Sequence, residues 1–185
     1  MKAVAAGYLR ARYLPHAIDL LAGAAGEARV IAGGQSLVAT MNLGLTGSLA
    51  LVDINGIADL RGIRRAGDRL VIGALTRHAE LMTEPSVAAH VPLLARAAPL
   101  IAHAAIRTRG TIGGSLAHAD PAAELPACVL ALGATLHASG PQGSREIAAG
   151  AFFVDTFSTA LAADEILTAV SVPIATADEA QAIRE

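Results

Sequence analysis

Two short peptides with paired glycines carry the residue types in this sequence that are best suited to binding an anion. They are residues 32–37, which read AGGQSL, and residues 111–116, which read TIGGSL. Glycine lets backbone N–H groups converge on a ligand because no Cβ stands in the way, and a serine hydroxyl adds a donor. The pattern predicts a diphosphate site built from two loops, which lie 80 positions apart from Gly33 to Gly113.

Neither peptide fits the common nucleotide-binding motifs. No Gly-Lys-Ser/Thr follows the glycine pairs, as a Walker loop requires, and neither has the spaced glycines of a Rossmann turn. One glycine pair by itself is commonly only a turn. Two such pairs in separate parts of the chain instead favour a single dinucleotide pinched between them, although spacing alone leaves the ligand open.

The first glycine peptide lies in a short α/β pattern. A helix is predicted from Pro15, with Gly26 closing it, and a strand at 28–31 runs directly into the glycine pair. A second strand is expected at 49–53. The order of helix, strand, glycine loop and strand indicates a small α/β subdomain over residues 1–60.

The second glycine peptide lies in a region with a different pattern, from 61 to 174. Its predicted elements are a hairpin across 62–73, a helix capped by Thr76 and running to Leu81, helices at 92–103 and 121–132 with Pro126 kinking or dividing the latter, a hairpin turning at 140–143, and a strand at 166–172. Residues 175–185 are expected to be a tail or linker. The fold class is therefore α+β.

Composition narrows the class of protein. The chain has 185 residues with 16 acidic and 14 basic side chains, and the basic residues are scattered, so nucleic acid is not expected as a partner. Residues 1–12 mix polar and apolar types without an export signal, and Cys128 is the only cysteine, so a cytoplasmic protein is predicted. The uncharged stretch between Arg29 and Asp53 is broken by glycine and polar residues, which argues against a membrane span.

Residues 32–37 and the longer segment 106–116 resemble the two flavin-binding signatures of the FAD-binding, medium-sized subunit of the molybdenum hydroxylases, the family of carbon monoxide, xanthine and aldehyde dehydrogenases. The likeness extends over roughly residues 8–174 and includes segments 51–54, 72–76, 119–126 and 164–167. It implies a two-subdomain FAD-binding fold of the vanillyl-alcohol oxidase / p-cresol methylhydroxylase type. It also implies that the small C-terminal domain of the family is missing, so that the chain is a fragment or a short subunit.

The resemblance implies FAD-binding residues but no catalytic side chain and no metal ligand. Around the FAD diphosphate it implies Arg29, Val30, Ile31, Ala32, Gly33, Gly34, Gln35, Ser36, Thr111, Ile112, Gly113, Gly114 and Ser115. Glu124 would accept hydrogen bonds from the FAD ribose, although an exposed helical acid would look the same. Leu167 and Ile101 would lie near the flavin, or would simply be core residues. Asp120 would approach the cofactor or cap the following helix.

Five side chains also allow plainer interpretations. His118 and Asp120 are two residues apart, but no third ligand at suitable spacing supports a metal site. Arg107 and Arg109 could attract phosphate or form surface ion pairs. Cys128 is expected to fill space in the core.

The resemblance implies a function in electron relay. Electrons released at molybdenum would pass through two [2Fe–2S] clusters to FAD and then to an external acceptor such as NAD, a quinone or another carrier. The partners would be a molybdopterin-binding large subunit and a [2Fe–2S] small subunit. Two alternatives remain open from the residues: a stand-alone flavin oxidoreductase of the same fold, and a non-catalytic assembly subunit that no longer holds FAD.

Overall fold

A computed structural model describes residues 5–176 and 178–184 of the chain. The first four residues and two positions of the predicted tail, Ala177 and Glu185, lie outside the described residues. Within the described part, no helix is both long and apolar enough to cross a membrane.

The N-terminal part is a three-stranded parallel sheet with two helices. Its elements are β1 (Gly7–Arg10), α1 (Leu14–Gly23), β2 (Ala28–Ile31), α2 (Leu37–Asn42) and β3 (Ala50–Asp53). The strand order is β1-β3-β2, and β3 therefore pairs with both neighbours. A core cluster that includes Ala17 and Leu21 of α1 and Val52 of β3 fills the space between the sheet and the helix.

The remainder is an antiparallel sheet covered by helices. The strands are β4 (Ile63–Ala66), β5 (Arg69–Gly73), β6 (Thr135–Gly140), β7 (Gly143–Ala148), β8 (Phe153–Asp155), β9 (Ser158–Thr159) and β10 (Ile166–Pro173). Five of them form a sheet in the order β4-β5-β10-β6-β7, and β8 pairs with β9. Because β10 is the central strand, five of its eight residues are buried, and Leu167, Val170 and Val172 belong to the larger core cluster.

Seven short helices pack in this second part. They are α3 (His78–Thr83), α4 (Pro85–His90), α5 (Pro92–Ala97), α6 (Ala104–Arg107), α7 (Ile112–His118), α8 (Glu124–Ala131) and α9 (Ala149–Phe152). Their apolar side chains join the strands in one cluster, which contains Leu81, Leu94, Leu116 and Leu125. Leu75 and Ile166, although they come from the second part, belong to the first core cluster and so join the two parts.

Several predicted elements are confirmed. The strand at 28–31, both hairpins and the closing strand are present, and α1 ends three residues before Gly26. Pro126 does not kink α8, because it lies in the first helical turn, where its missing N–H has no partner to lose. The predicted helix at 92–103 is wrong: it ends at Ala97 and continues only as a 3₁₀ turn through Pro99, which cannot donate to the preceding turn.

The cap predicted for α3 is also wrong. Thr76 is buried and its hydroxyl donates to the carbonyl oxygen of Gly62 at 3.3 Å, so it belongs to the turn after β5. Arg77 is the N-cap residue, and its backbone N–H donates to a carboxylate oxygen of Glu80 at 2.6 Å. The glutamate reaching back to the cap residue is half of a capping box and fixes where α3 begins.

Candidate functional site

The two glycine peptides both line one cleft between the two core clusters. The cleft has a volume of about 780 Å³, which is within the range of roughly 300–1,000 Å³ that is usual for small-molecule sites. All predicted FAD-binding residues except Ile112 line it: Arg29, Val30, Ile31, Ala32, Gly33, Gly34, Gln35, Ser36, Ile101, Thr111, Gly113, Gly114, Ser115, Asp120, Glu124 and Leu167. The Ile112 side chain is instead fully buried in the larger core.

Gly33 brings the two peptides into direct contact. A Cβ built on Gly33 would lie 2.3 Å from the carbonyl oxygen of Arg109 and 2.8 Å from Cα of Gly110. No larger residue can occupy this position without moving the backbone of the second peptide. The glycine is therefore required by the close approach of two chain segments.

The first peptide leaves a row of backbone donors facing the cleft. Within the described residues, the amide groups of Gly33, Gly34, Gln35 and Ser36 donate to no backbone or side-chain acceptor. Gly34 adopts a positive φ of 72°, and the Gln35 side-chain amide donates to the Gly33 carbonyl oxygen at 2.9 Å. The turn is thus held in shape by its own side chain while its N–H groups stay available to an anion.

The second peptide is built differently from the prediction. It is the start of α7, with Thr111 as N-cap, and its four amides already have acceptors. Ile112 donates to Thr76 O at 3.0 Å, Gly113 to Ala74 O at 2.9 Å, Gly114 to Thr111 Oγ1 at 3.1 Å and Ser115 to Thr111 O at 3.0 Å. The expectation that both peptides present free amides is therefore wrong for the second one.

Gly113 has a packing role instead. A Cβ at Gly113 would lie 2.5 Å from the Ala74 Cβ and 2.8 Å from its carbonyl oxygen. Glycine here lets α7 touch the turn that follows β5. Gly114 and the half-buried Ser115 then face the cleft, where the serine hydroxyl supplies a donor.

His78 is a wall residue that sequence reasoning missed. Its side chain is buried, with 5% of the residue exposed, and both ring nitrogens lack a hydrogen-bond partner within the described chain. It packs beneath Gly110, at which a Cβ would lie 3.0 Å from the histidine Cε1. Burial lowers the His78 pKa, and this effect is larger than that of the Thr111 main chain and the Glu124 carboxylate, which raise the pKa. The ring is therefore neutral at pH 7.

An aromatic pair forms another part of the wall that was not predicted. The rings of His118 and Phe157 lie 5.1 Å apart between centroids in a tilted arrangement, and both line the cleft. Phe157 is 57% exposed and has a left-handed backbone with φ of 54°. Its N–H donates to the carbonyl oxygen of Ala119 at 3.0 Å, which fixes the chain in this conformation.

The remaining polar candidates have defined positions. Within the described residues, Arg107 does not line the cleft and forms no ion pair. Its Nη1 donates to the carbonyl oxygens of Ile101 at 2.8 Å and Ala102 at 2.9 Å. Asp120 accepts from the Ala122 N–H at 2.9 Å, and so stabilises the turn before α8 rather than the helix, whose N-cap is Ala123. Glu124 is the first residue of that helix and is half-buried.

Two further features lie away from the cleft. Cys128 is buried in the core as predicted, and burial raises its thiol pKa to about 11. A shallow depression of about 460 Å³ on the outer face of the five-stranded sheet is lined by polar residues such as His137, Ser139 and Glu146. Neither glycine peptide contributes to this depression, so the chemistry expected from the sequence belongs to the cleft.

Comparison with known proteins gives a consistent result. A family described as the FAD binding domain in molybdopterin dehydrogenase matches residues 3–175. The alpha subunit of the 6-hydroxypseudooxynicotine dehydrogenase complex of Paenarthrobacter nicotinovorans is 45% identical over 94% of this chain and 58% of its own length. The carbon monoxide dehydrogenase medium chain of Hydrogenophaga pseudoflava is 43% identical over 85% of this chain and 55% of its own length.

The fold agrees with the sequence comparison. A structure of carbon monoxide dehydrogenase from Hydrogenophaga pseudoflava, which lacks the Mo-pyranopterin moiety of its cofactor, contains a chain that superimposes with a TM-score of 0.93 at 40% identity. The match covers 96% of this chain and 61% of that one. The present chain thus spans somewhat more than half the length of the relatives that it matches. It belongs to the family of FAD-binding domains in molybdopterin dehydrogenases.

Proposed function

We propose that the chain is the FAD-binding portion of an electron-relay subunit in a molybdenum-containing hydroxylase or dehydrogenase complex. The observation that carries the proposal is the meeting of the two glycine peptides at one cleft, with the amides of 33–36 unpaired on its side. FAD, when bound, supplies two-electron and one-electron redox chemistry, and the protein supplies binding and orientation. No side chain is needed as an acid or base.

The residues of the cleft fit FAD in a simple division of tasks. We propose that the amides of 33–36 bind the diphosphate, since several converging N–H groups satisfy a doubly charged group without a cation. The Ser115 hydroxyl completes the contact from the opposite side. Glu124 accepts from the ribose hydroxyls, while Ile101 and Leu167 contribute apolar surface that excludes water from the flavin.

We propose that the fold is of the vanillyl-alcohol oxidase / p-cresol methylhydroxylase type, with FAD-binding subdomains at 1–60 and 61–174 and a linking segment at 175–185. The two larger sheets and the two core clusters support this division, because all members of the first cluster except Leu75 and Ile166 come from residues 1–60.

The partners follow from what the chain does not supply. A single cysteine cannot ligate an iron–sulfur cluster, which needs several thiolates. We therefore propose a [2Fe–2S] small subunit and a molybdopterin-binding large subunit as partners in the cytoplasm, with NAD, a quinone or another carrier as electron acceptor. The relatives support this proposal because their names describe a dehydrogenase complex subunit and a medium chain.

A flavin titration tests the cofactor assignment. Flavin-free protein is titrated with FAD, FMN and riboflavin, and the quenching of flavin fluorescence is measured. Because the site is assigned to a diphosphate, FAD is expected to bind stoichiometrically and at least about tenfold more tightly than FMN. ADP should compete with FAD. Equal affinity for FAD and riboflavin would contradict the diphosphate assignment, and no binding of any flavin would favour a non-catalytic assembly subunit.

Purification from the native host tests the relay assignment. A tagged chain is expected to copurify with two further chains, and elemental analysis of the complex should give molybdenum and iron. Isolation of the chain without either metal, together with substrate oxidation by the chain alone, would support a stand-alone flavin oxidoreductase instead.

A further inference from the structure

A chain of hydrogen bonds connects residues next to the cleft that do not line it. It begins at Asp53, the last residue of β3, which is buried. The Tyr8 hydroxyl donates to Asp53 Oδ2, and both the backbone N–H and the side-chain amide of Asn55 donate to Asp53 Oδ1, at 2.8 and 2.7 Å. Three donors on one carboxylate hold the Asn55 side chain in a single orientation.

From this position Asn55 binds the first glycine peptide directly, and Arg77 links Asn55 to the segment just before the second peptide. Its Nδ2 donates to the carbonyl oxygen of Ala32 at 2.7 Å, immediately before Gly33. Its Oδ1 accepts from Nη2 of Arg77 at 2.9 Å, and Nη1 of the same guanidinium donates to the carbonyl oxygen of Arg109. The Asn55 amide and the Arg77 guanidinium therefore connect Ala32, just before the first glycine pair, to Arg109, which lies two residues before the second peptide.

The link ends at the point where the two peptides touch. The Arg109 carbonyl oxygen that receives the Arg77 hydrogen bond is also the atom that a Cβ on Gly33 would meet at 2.3 Å. Arg77 and Thr111 additionally form an isolated antiparallel β-bridge. The side chains of Asn55 and Arg77 and the Arg77–Thr111 pairing therefore all hold the chain next to this contact.

We propose that Asn55 and Arg77 are positioning residues that hold the two glycine peptides at a fixed separation, so that the dinucleotide cleft is formed before the cofactor enters. The proposal rests on the function proposed above. It assigns no direct cofactor contact to either residue, since neither lines the cleft. A site formed in advance avoids the cost of ordering its loops on binding, and that saving appears as affinity.

The test measures FAD affinity and loop protection in four variants: Asn55→Ala, Arg77→Ala, Arg77→Lys and the Asn55→Ala/Arg77→Ala double variant. Each alanine variant is expected to weaken FAD binding about tenfold or more, because it breaks the same link. The double variant should bind no more weakly than the worse single one. Arg77→Lys keeps the positive charge but cannot donate to both acceptors as the guanidinium does, so its affinity for FAD should also fall. This variant replaces Arg77→Ala in the test if Arg77→Ala does not fold.

Hydrogen exchange separates positioning from general stability. In FAD-free protein, exchange is expected to rise in peptides 36–40 and 106–114 of the variants, which contain hydrogen-bonded amides such as those of Val38 and Gly113. Exchange should stay unchanged in β6 and β10. Arg61→Ala is the matched control, because Arg61 donates to the Asn55 backbone oxygen at 3.0 Å and, within the described residues, makes no hydrogen bond to either glycine peptide. Its affinity and exchange should match the wild type.

The outcomes distinguish this proposal from the one on which it rests. If wild-type protein binds no FAD, the proposed function fails, and the exchange experiment still tests the link in the FAD-free state. If wild-type protein binds FAD but the variants bind equally well, or their two peptides exchange no faster, the positioning role of Asn55 and Arg77 is overturned. Additive losses in the double variant would overturn it too.

Discussion

Replacement of Gly33 by alanine should separate the two glycine peptides and weaken FAD binding. The new Cβ would lie 2.3 Å from the Arg109 carbonyl oxygen, whereas a carbon and a carbonyl oxygen in contact stay about 3.3 Å apart. One backbone must therefore retreat by about 1 Å. Such overpacking costs roughly 1–3 kcal/mol of stability, which a folded domain of this size should survive.

The loss of affinity follows from the same displacement. A movement of about 1 Å takes a hydrogen bond of ordinary length beyond its useful range, and a hydrogen bond to a charged group contributes about 1.5–3 kcal/mol. Loss of one phosphate contact therefore costs about 1.5–3 kcal/mol, so Kd for FAD should rise about tenfold to 150-fold.

The measurement is a fluorescence titration with FAD, combined with urea unfolding of the FAD-free variant. Gly23→Ala is the matched control, because Gly23 ends α1 and a Cβ there would meet nothing within 4 Å. That variant should bind FAD as the wild type does. If folded Gly33→Ala protein bound FAD within about threefold of the wild type, the inference that the cleft depends on this close approach would be refuted.

Three further predictions concern single side chains. His78→Leu should raise the free energy of unfolding by about 1–2 kcal/mol at pH 7, because it removes two buried ring nitrogens without partners. Burial lowers the pKa of His78 in the folded state, so the unfolded state binds more protons below about pH 6.5. The free energy of unfolding of the wild type should therefore decrease as the pH is lowered below this value, by up to about 1.4 kcal/mol per pH unit. Parallel pH curves for the two proteins in urea unfolding would contradict this. Cys128, whose pKa is raised to about 11 by burial, should not react with a thiol reagent at pH 8 until urea unfolds the chain, and fast labelling of the native protein would show that the core is open there. Ser115→Ala should weaken FAD binding about threefold to tenfold without changing the stability of the FAD-free protein, and an unchanged Kd would remove its hydroxyl from the diphosphate contact.

The sequence predicted the elements that carry their own local signals. The strand at 28–31 and the hairpins around Gly67 and Gly143 were recognised because apolar alternation and positive-φ glycines are readable along the chain. The strand β1 was missed because its four residues are mostly exposed and it is held by parallel pairing with β3, some forty positions away. Helix α2 was missed because its six residues are too few for a helical period.

The cleft was predicted only in part, because the sequence carries local signals but no record of contacts between distant elements. The glycine peptides were found by residue type, whereas His78 and Phe157 enter the wall through contacts between distant elements that no local pattern records. The sequence does carry one local signal for the structure of the second peptide. Thr111 precedes the apolar spacing of Ile112 and Leu116, which is the usual pattern of a helix N-cap. It would have shown that the second glycine pair begins a helix.

Three glycines at which a Cβ would collide with backbone atoms lie at the junction between the two halves of the fold. A Cβ at Gly33 would strike Arg109, and one at Gly73 would lie 2.5 Å from the carbonyl oxygen of Leu60. Gly113 meets Ala74 in the same way, next to Leu75, which joins the first core cluster. Each of these three glycines permits a backbone contact, and only the first peptide also offers unpaired amides. The paired glycines thus arise from two separate demands: an anion site in the first peptide, and in the second the close packing that fixes how wide the cleft is.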